Sequence, residues 1–551
     1  MEFPIDFFLD EVREGFFIPA MMKRAWAAEL EILVEIDKIC EKHKLRYFID
    51  YGNLLGAIRH KGFIPWDDDI DIMMLRKDYE IFAKVANKEL PKELLFRSLK
   101  EDNSNGELVS SVQHKEMLIS TDAIGKYHNY LYGAGVDIFS YDYLSEDTEK
   151  ERQRMELLKS LCILASFPFT EGDKKAVLVE EAKKVEKITK VKLLHSPHYR
   201  ETILNLLSDC FQRFNQNPGS KIACLLDFII YQGQGKGIFN AHWYDEQVYL
   251  DFEFLALPAP KEYIKVISER YYDYETIKKG GGNHDYPMYR KMESAYRDGI
   301  GGKLFYEYSI DKNDLKKRSN VLSIFKEENK SESQKPRLFF LPSLYSRWES
   351  MRGLFLEANK DDSVDCFLMP LHYYYKGGLG GCSPAQWDYA LYEDELGKDN
   401  PSLLDFRTID LKEISPDLIF INDPCDEYNL SFMLDPAFFS KKLKSCTQQL
   451  IYIPWFVTSE IDLEDKEDGK AIVNAENYVV MPAPVHSDYV ILQSEGIAKL
   501  YQSFLEKESG AEFANYWKEK LLPFGSPLFD KDKDKEKYAS KAIWEKLKAY
   551  Q

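Results

Sequence analysis

The chain has 551 residues, 44% of them hydrophobic and 14% aromatic, more than one hydrophobic core takes, so two or more domains are expected. A formal net charge of −19 argues against a nucleic-acid partner, whose phosphates it would repel. The eight cysteines form no C-x-x-C pair, and are read as reduced thiols of a cytoplasmic protein. Met1–Asp6 lacks the basic n-region of a signal peptide. No run approaches the ~18 apolar residues of a transmembrane helix.

In chain order, Pro19–Lys44 carries Trp26, Leu30, Leu33, Ile36 and Ile39 at helical spacing. Tyr47–Tyr51 reads as a short strand, Gly52-Asn53 as a turn, and Leu54–Arg59 as the start of a helix whose free N–H groups would face an anion. Arg59, His60 and Lys61 add basic groups at its far end. Asp69-Ile70-Asp71-Ile72 begins a second strand, with both carboxylates on one face and both isoleucines on the other. Paired carboxylates raise each other's pKa unless a cation sits between them. The natural ion is Mg²⁺, with Mn²⁺ as a substitute, bound by one or two carboxylates and by substrate phosphates. Asp137, in the predicted strand Gly135–Phe139, is the candidate third carboxylate. A calcium loop starting at Asp67 fits at Asp69 and Asp71 but fails at Ile72, where it needs Gly, and at Asp78, where it needs Glu.

Arg76–Leu90 reads as a helix, and Leu94–Lys100 and Leu108–Thr121 as strands. Lys115, on the second strand, either reaches a phosphate or is solvated. Three helices follow over Thr148–Asn217; the middle one is lysine-rich and suits either an anionic membrane surface or a solvated, glutamate-laced face. No G-x-x-x-x-G-K-[ST] sequence occurs. Trp243–Ala256 alternates as a strand pair, Pro258-Ala259-Pro260 reads as a turn, and Lys261–Tyr272 as a helix. In Gly280–Arg290, His284 and Arg290 either touch substrate or belong to a structural loop. The polar stretch 311–335 reads as a linker between domains at 1–310 and 336–551. In the second, predicted strands at Arg337–Pro342, Val364–Met369, Leu418–Ile421, Gln449–Ile453, Tyr478–Met481 and Tyr489–Leu492 alternate with helical patterns, which argues for a parallel α/β sheet covered on both faces.

Gly52–Arg59 (G-N-L-L-G-A-I-R) followed by Lys61–Asp71 (K-G-F-I-P-W-D-D-D-I-D) resembles the LicD family of phosphocholine transferases, whose signature fukutin-related proteins share. The resemblance implies an α+β nucleotidyltransferase fold with a helical insertion, in which Gly52, Asp69, Asp71 and Asp137 fill the Gly-turn, Asp-apolar-Asp and lone-Asp places. Asn53 stands where the family often has Thr. The resemblance further implies a Mg²⁺-dependent phosphotransferase. Its donor would be CDP-choline or a related CDP-alcohol, and its acceptor a sugar hydroxyl of a glycan or lipid-linked glycan such as teichoic acid or lipopolysaccharide. Asp69, Asp71 and Asp137 would be metal ligands, and a second metal together with Arg59 or Lys61 would neutralise the departing CMP. Trp66 would either face the quaternary ammonium or pack in the core. The activity would sit in the cytoplasm, at the inner face of the membrane where contact is peripheral. Ser343–Ser350, Asp423–Tyr428 and Phe524–Asp530 are similar to the first half of CDP-glycerol glycerophosphotransferase-type proteins, a Rossmann-like half of a two-lobed GT-B-type enzyme. The second half is not found before Gln551, so this domain is expected to bind or dock rather than catalyse. Phosphoglycerol or phosphoribitol transfer, or a non-catalytic docking role in surface-glycan assembly, are the alternatives.

Overall fold

In the computed structural model the described residues are 1–99, 108–116, 128, 130–166, 175–194, 198–230, 237–279, 286–300, 304, 306–319, 335–376, 382–384, 387–531 and 539–549. A hairpin of β1 (Glu11–Arg13) and β2 (Phe16–Ile18) leads into α1 (Ala20–His43). The predicted stripe of α1 is inside: Trp26, Leu30, Leu33 and Ile36 are buried, and Lys44, in the left-handed region at φ 55°, ends the helix.

The sheet under α1 is built from β3 (Phe48–Ile49), β4 (Asp71–Leu75), β5 (Leu94–Arg97), β6 (Ser110–His114) and β7 (Gly135–Tyr143) in the order β3-β4-β7-β6-β5, with β8 (Lys221–Ala223) on β7 and β9 (Ile238–Asn240) on β8. β4 and β7 are parallel; the other pairs are antiparallel. α2 (Tyr51–His60) joins β3 to the loop before β4, and α3 (Arg76–Glu89) follows β4. α4 (Thr148–Ser166), α5 (Lys175–Thr189) and α6 (Tyr199–Gln212) form the three-helix insertion, and α7 (Leu225–Ile230) follows β8. In the lysine-rich α5, Lys184 pairs with Glu180 and Glu181. β10 (Gln247–Phe252) and β11 (Leu255–Pro260) form a hairpin ahead of α8 (Tyr263–Arg270), α9 (Tyr289–Ile300) and α10 (Lys312–Ser319).

The carboxyl-terminal half holds a six-stranded, all-parallel sheet. Its strands are β12 (Arg337–Leu341), β13 (Asp365–Leu368), β16 (Leu418–Ile421), β18 (Gln449–Tyr452), β19 (Tyr489–Ile491) and β20 (Leu521–Leu522), in the order β13-β12-β16-β18-β19-β20. A small antiparallel sheet of β14 (Tyr373–Lys376), β15 (Cys382–Pro384) and β17 (Phe432–Leu434) stands beside it. Phe339, Leu341, Ile419 and Ile421 enter one core, while Leu338, Phe340, Leu418 and Phe420 enter another. Alternate residues thus fill opposite faces, so the strands read as continuous apolar runs. The fold is α/β.

Several boundaries differ from the sequence expectation. Pro258–Pro260 is paired strand rather than turn; a two-stranded hairpin has two edges, where proline is tolerated. Stretch 311–335 contains α10, whose Leu315 is buried in the second core, so it is not a plain linker. Tyr478–Met481 is not a strand: Ile472, Ala475, Tyr478 and Val479 lie at helical spacing in the helix Gly469–Val479. All eight cysteines are unpaired thiols. Among the described residues no helix is long and apolar enough to cross a membrane.

Candidate active site

Asp71 opens β4 and lies opposite Asp137 on the parallel strand β7, so both side chains leave the same face of the sheet. Asp71 is half-buried and Asp137 exposed. Asp69 is not on the strand; it sits in the loop just before it. Burial, then the charges of Asp69, Asp137, Asp67 and Asp50, push the Asp71 carboxyl well above the usual carboxylate range. Such a cluster calls for a cation. Its donors are carboxylate oxygens, which fit a hard divalent ion that takes its remaining ligands from phosphate and water. Among the described residues, no three His, Cys, Asp or Glu side chains stand as a ready-made metal cage, so the fit lies in strand placement and donor chemistry.

The loop is held by α2. This helix begins at Tyr51, so Gly52 and Asn53 lie inside its first turn rather than in a preceding turn. Asn53 Nδ2 donates to the Asp69 carbonyl at 3.1 Å, and its Oδ1 accepts the Asp71 amide at 2.6 Å. The side chain is spent on positioning the two aspartates, not on phosphate. Gly52 is crowded: a Cβ there would lie 2.2 Å from Asp67 Oδ2, so the Asp67 carboxylate would have to move.

Two features escaped sequence reasoning. The first is an ionic knot behind the loop. Asp50 caps Tyr51 N, accepts Tyr141 OH at 2.6 Å and takes Arg270 Nη2 at 2.9 Å. Tyr51, at φ 44°, donates its hydroxyl to Asp227 at 2.5 Å and lies under the Arg270 guanidinium at 3.8 Å. The second is Glu29 of α1. It is fully buried, and neither carboxyl oxygen has a hydrogen-bond partner among the described residues. Burial, then Asp69, Asp68, Asp67 and Asp71, push its pKa well up. The available signal was an acid on the buried stripe, three residues after Trp26 and next to Leu30.

The remaining candidates divide. Arg59 has Nε and Nη2 buried without hydrogen-bond partners among the described residues, and burial lowers its pKa. Lys61 ends α2 in the left-handed region, largely exposed, 3.8 Å from Asp251. Trp66 is 3% exposed in the first core, edge-on to Phe16; burial leaves it no face for an ammonium ligand, so it is the packing alternative. Lys115 donates to the Lys92 carbonyl at 2.6 Å. It lies four residues past Ser111, which pairs with Asp137, or about 13 Å along the strand. Arg290 bonds Glu476 at 2.8 Å and Glu293 at 3.3 Å, joining α9 to the helix Gly469–Val479. His284 lies outside the described residues.

Residues 44–154 match the family model for the LicD/FKTN/FKRP nucleotidyltransferase domain, a span that contains the Gly52 turn and all three aspartates. The lipopolysaccharide cholinephosphotransferase LicD of Haemophilus influenzae is 26% identical over 255 residues, covering 44% of this chain and 88% of that protein. An uncharacterised protein of Rickettsia typhi is 36% identical over 55 residues, 10% of this chain and 18% of its own length. The chain carries a LicD family domain over residues 44–154.

Proposed function

We propose that this protein is a phosphotransferase that moves phosphocholine, or a similar phospho-alcohol, from a CDP-alcohol to a sugar hydroxyl of a surface glycan. The observation that carries the reading is the register pair Asp71–Asp137, with Asp69 beside it, inside a domain of the family that includes the Haemophilus cholinephosphotransferase.

Asp69, Asp71 and Asp137 would hold Mg²⁺, which when bound supplies positive charge to the donor pyrophosphate and to the acceptor oxygen. The chain's own groups set the stage for it. Asn53 fixes the spacing of Asp69 and Asp71 through their backbones. The Asp50–Arg270 knot holds the start of α2 rigid. Arg59, with donors not engaged in the described structure, suits the charge left on CMP when the phospho-alcohol departs. Peripheral contact with the inner membrane face would bring a lipid-linked acceptor to this site.

The test is CMP release from CDP-choline, CDP-ethanolamine, CDP-glycerol and CDP-ribitol, with Mg²⁺ and with EDTA. Release from one donor that depends on the metal supports the reading and names the phospho-alcohol. No release from any of them, with a sugar acceptor present, rejects it.

A further inference from the structure

A cavity of about 400 Å³ lies between the two halves of the chain. One wall is the start of α1 and the face of α9 that carries Tyr289, Arg290 and Glu293. The other is the loop after β16, with Tyr428 and Asn429, and the helix bearing Glu476. The loop after β16 is a carboxyl-end loop of the parallel sheet, where open α/β sheets bind ligands. The LicD-bearing half therefore supplies the opposite wall of the cleft.

The lining decides the ligand class. Its carboxylates outnumber its cations five to three, and the cations are already matched. Arg290 pairs with Glu293 and Glu476, Arg297 with Glu307, and Lys507 lies 3.8 Å from Glu476. Among the described lining residues no cation is left unpaired for an anionic nucleotide. Matched acid–base pairs do offer donors and acceptors side by side, as vicinal hydroxyls require. Tyr289, Tyr306, Tyr308 and Tyr428 add aromatic surface suited to the apolar face of a sugar ring. The volume falls in the range of small-molecule sites.

The cavity is also tied to the acidic loop. Met288 N donates to Asp68 Oδ2, and Tyr289 to Glu293 follow at once, about 6 Å of helix rise. We propose that this interdomain cleft seats the acceptor saccharide as a neutral, polyhydroxylated segment. Its role as acceptor site rests on the phosphotransferase reading; the binding itself does not.

The experiment is saturation-transfer difference NMR on the full chain with cellobiose, lactose, maltose and N,N′-diacetylchitobiose. At least one should bind wild type, Tyr428→Ala and Glu476→Gln should each weaken it tenfold or more, and Asp71→Asn should leave it unchanged. No binding of any disaccharide, or binding that survives both cleft substitutions in folded protein, overturns the proposal. Saccharide binding without CMP release by wild type would reject the phosphotransferase reading and leave the sugar site standing.

Discussion

Asn53 and Asp71 are joined through a 2.6 Å bond from the Asp71 amide to the Asn53 side-chain oxygen. The other half of the same amide holds the Asp69 carbonyl. One buried side chain therefore sets the spacing of two candidate metal ligands. Asn53→Ala should cost about 1–3 kcal/mol of stability and lower CMP release at least tenfold by loosening the loop. Asn53→Asp keeps the acceptor for Asp71 N, loses the donor and adds a carboxylate to an acidic loop. It should weaken Mg²⁺-dependence curves more than Asn53→Ala does. Thermal unfolding and metal titration of both variants check this.

Asp71→Asn should give a folded, inactive protein. The carboxylate is destabilised by burial and its neighbours, so replacing it with a neutral isostere should raise the metal-free melting temperature or leave it unchanged. Activity should fall by about a hundredfold or more. Near-normal release from folded Asp71→Asn would remove Asp71 from the chemistry.

Gly52→Ala and Asp67→Ala should be coupled. The added methyl would meet Asp67 Oδ2 at 2.2 Å, so Gly52→Ala alone should destabilise the protein, and Asp67→Ala should recover part of that loss. A double-mutant cycle on unfolding free energies measures the coupling, expected at about 0.5–3 kcal/mol. Additive effects would mean that crowding at Asp67 is not why residue 52 lacks a side chain.

The motif's chemistry was legible because its residue types and spacing are local. Asp71 and Asp137 are 66 residues apart in the chain, yet both are aspartates amid apolar strand residues, and that pattern survives in one dimension. The start of β4 was not legible, because alternation cannot show that the Asn53 side chain takes the Asp69 carbonyl and the Asp71 amide and so holds Asp69 off the strand. Glu29 and the Asp50–Arg270–Asp227 knot were missed for a related reason. Arg270 lies 220 residues from Asp50, and nothing local in either stretch announces the other. Tyr478–Met481 was misread because a short apolar run fits a buried strand and a helix end equally well.

His486 gives a pH signature away from the acidic loop. Burial, then Arg318 and Lys520, lower its pKa to about 3, with Lys441 acting the same way and Asp314 opposing. Its Nε2 pairs with Tyr308 OH at 3.1 Å. The imidazole is neutral in the folded state, whereas in the unfolded chain it protonates near pH 6.5. As pH falls from about 6.5 towards about 3, the unfolded state binds the extra proton, and stability drops by up to about 1.4 kcal/mol per pH unit. Above that window this group adds no pH dependence. His486→Gln should flatten the stability profile between pH 6.5 and 4, as read by urea unfolding; an unchanged slope would place the acid sensitivity elsewhere.

Phe17 is the sharpest test of whether the two halves are separable. It belongs to β2, in the hairpin ahead of α1, yet its ring packs in the second core, 4.9 Å from Phe456 and 4.8 Å from Tyr478. Around it, Asn474 Nδ2 donates to the Phe17 carbonyl at 2.8 Å, and Arg24 Nη2 to the Leu430 carbonyl at 2.9 Å. Lys470 Nζ donates to the Trp66 carbonyl at 2.8 Å, one residue before the acidic run. Removing either half would therefore open a core and strip partners from buried polar groups. Phe17→Ala should cost about 3–5 kcal/mol and shift the unfolding of both halves together, because the lost ring belongs to one and its pocket to the other. When residues 1–319 and 335–551 are co-expressed as separate chains, they should copurify as a one-to-one complex. Residues 1–319 alone should aggregate or melt at lower temperature. Independent, unshifted melting of the two pieces, with no association on gel filtration, would show that the hairpin contact is dispensable and that the first half folds alone.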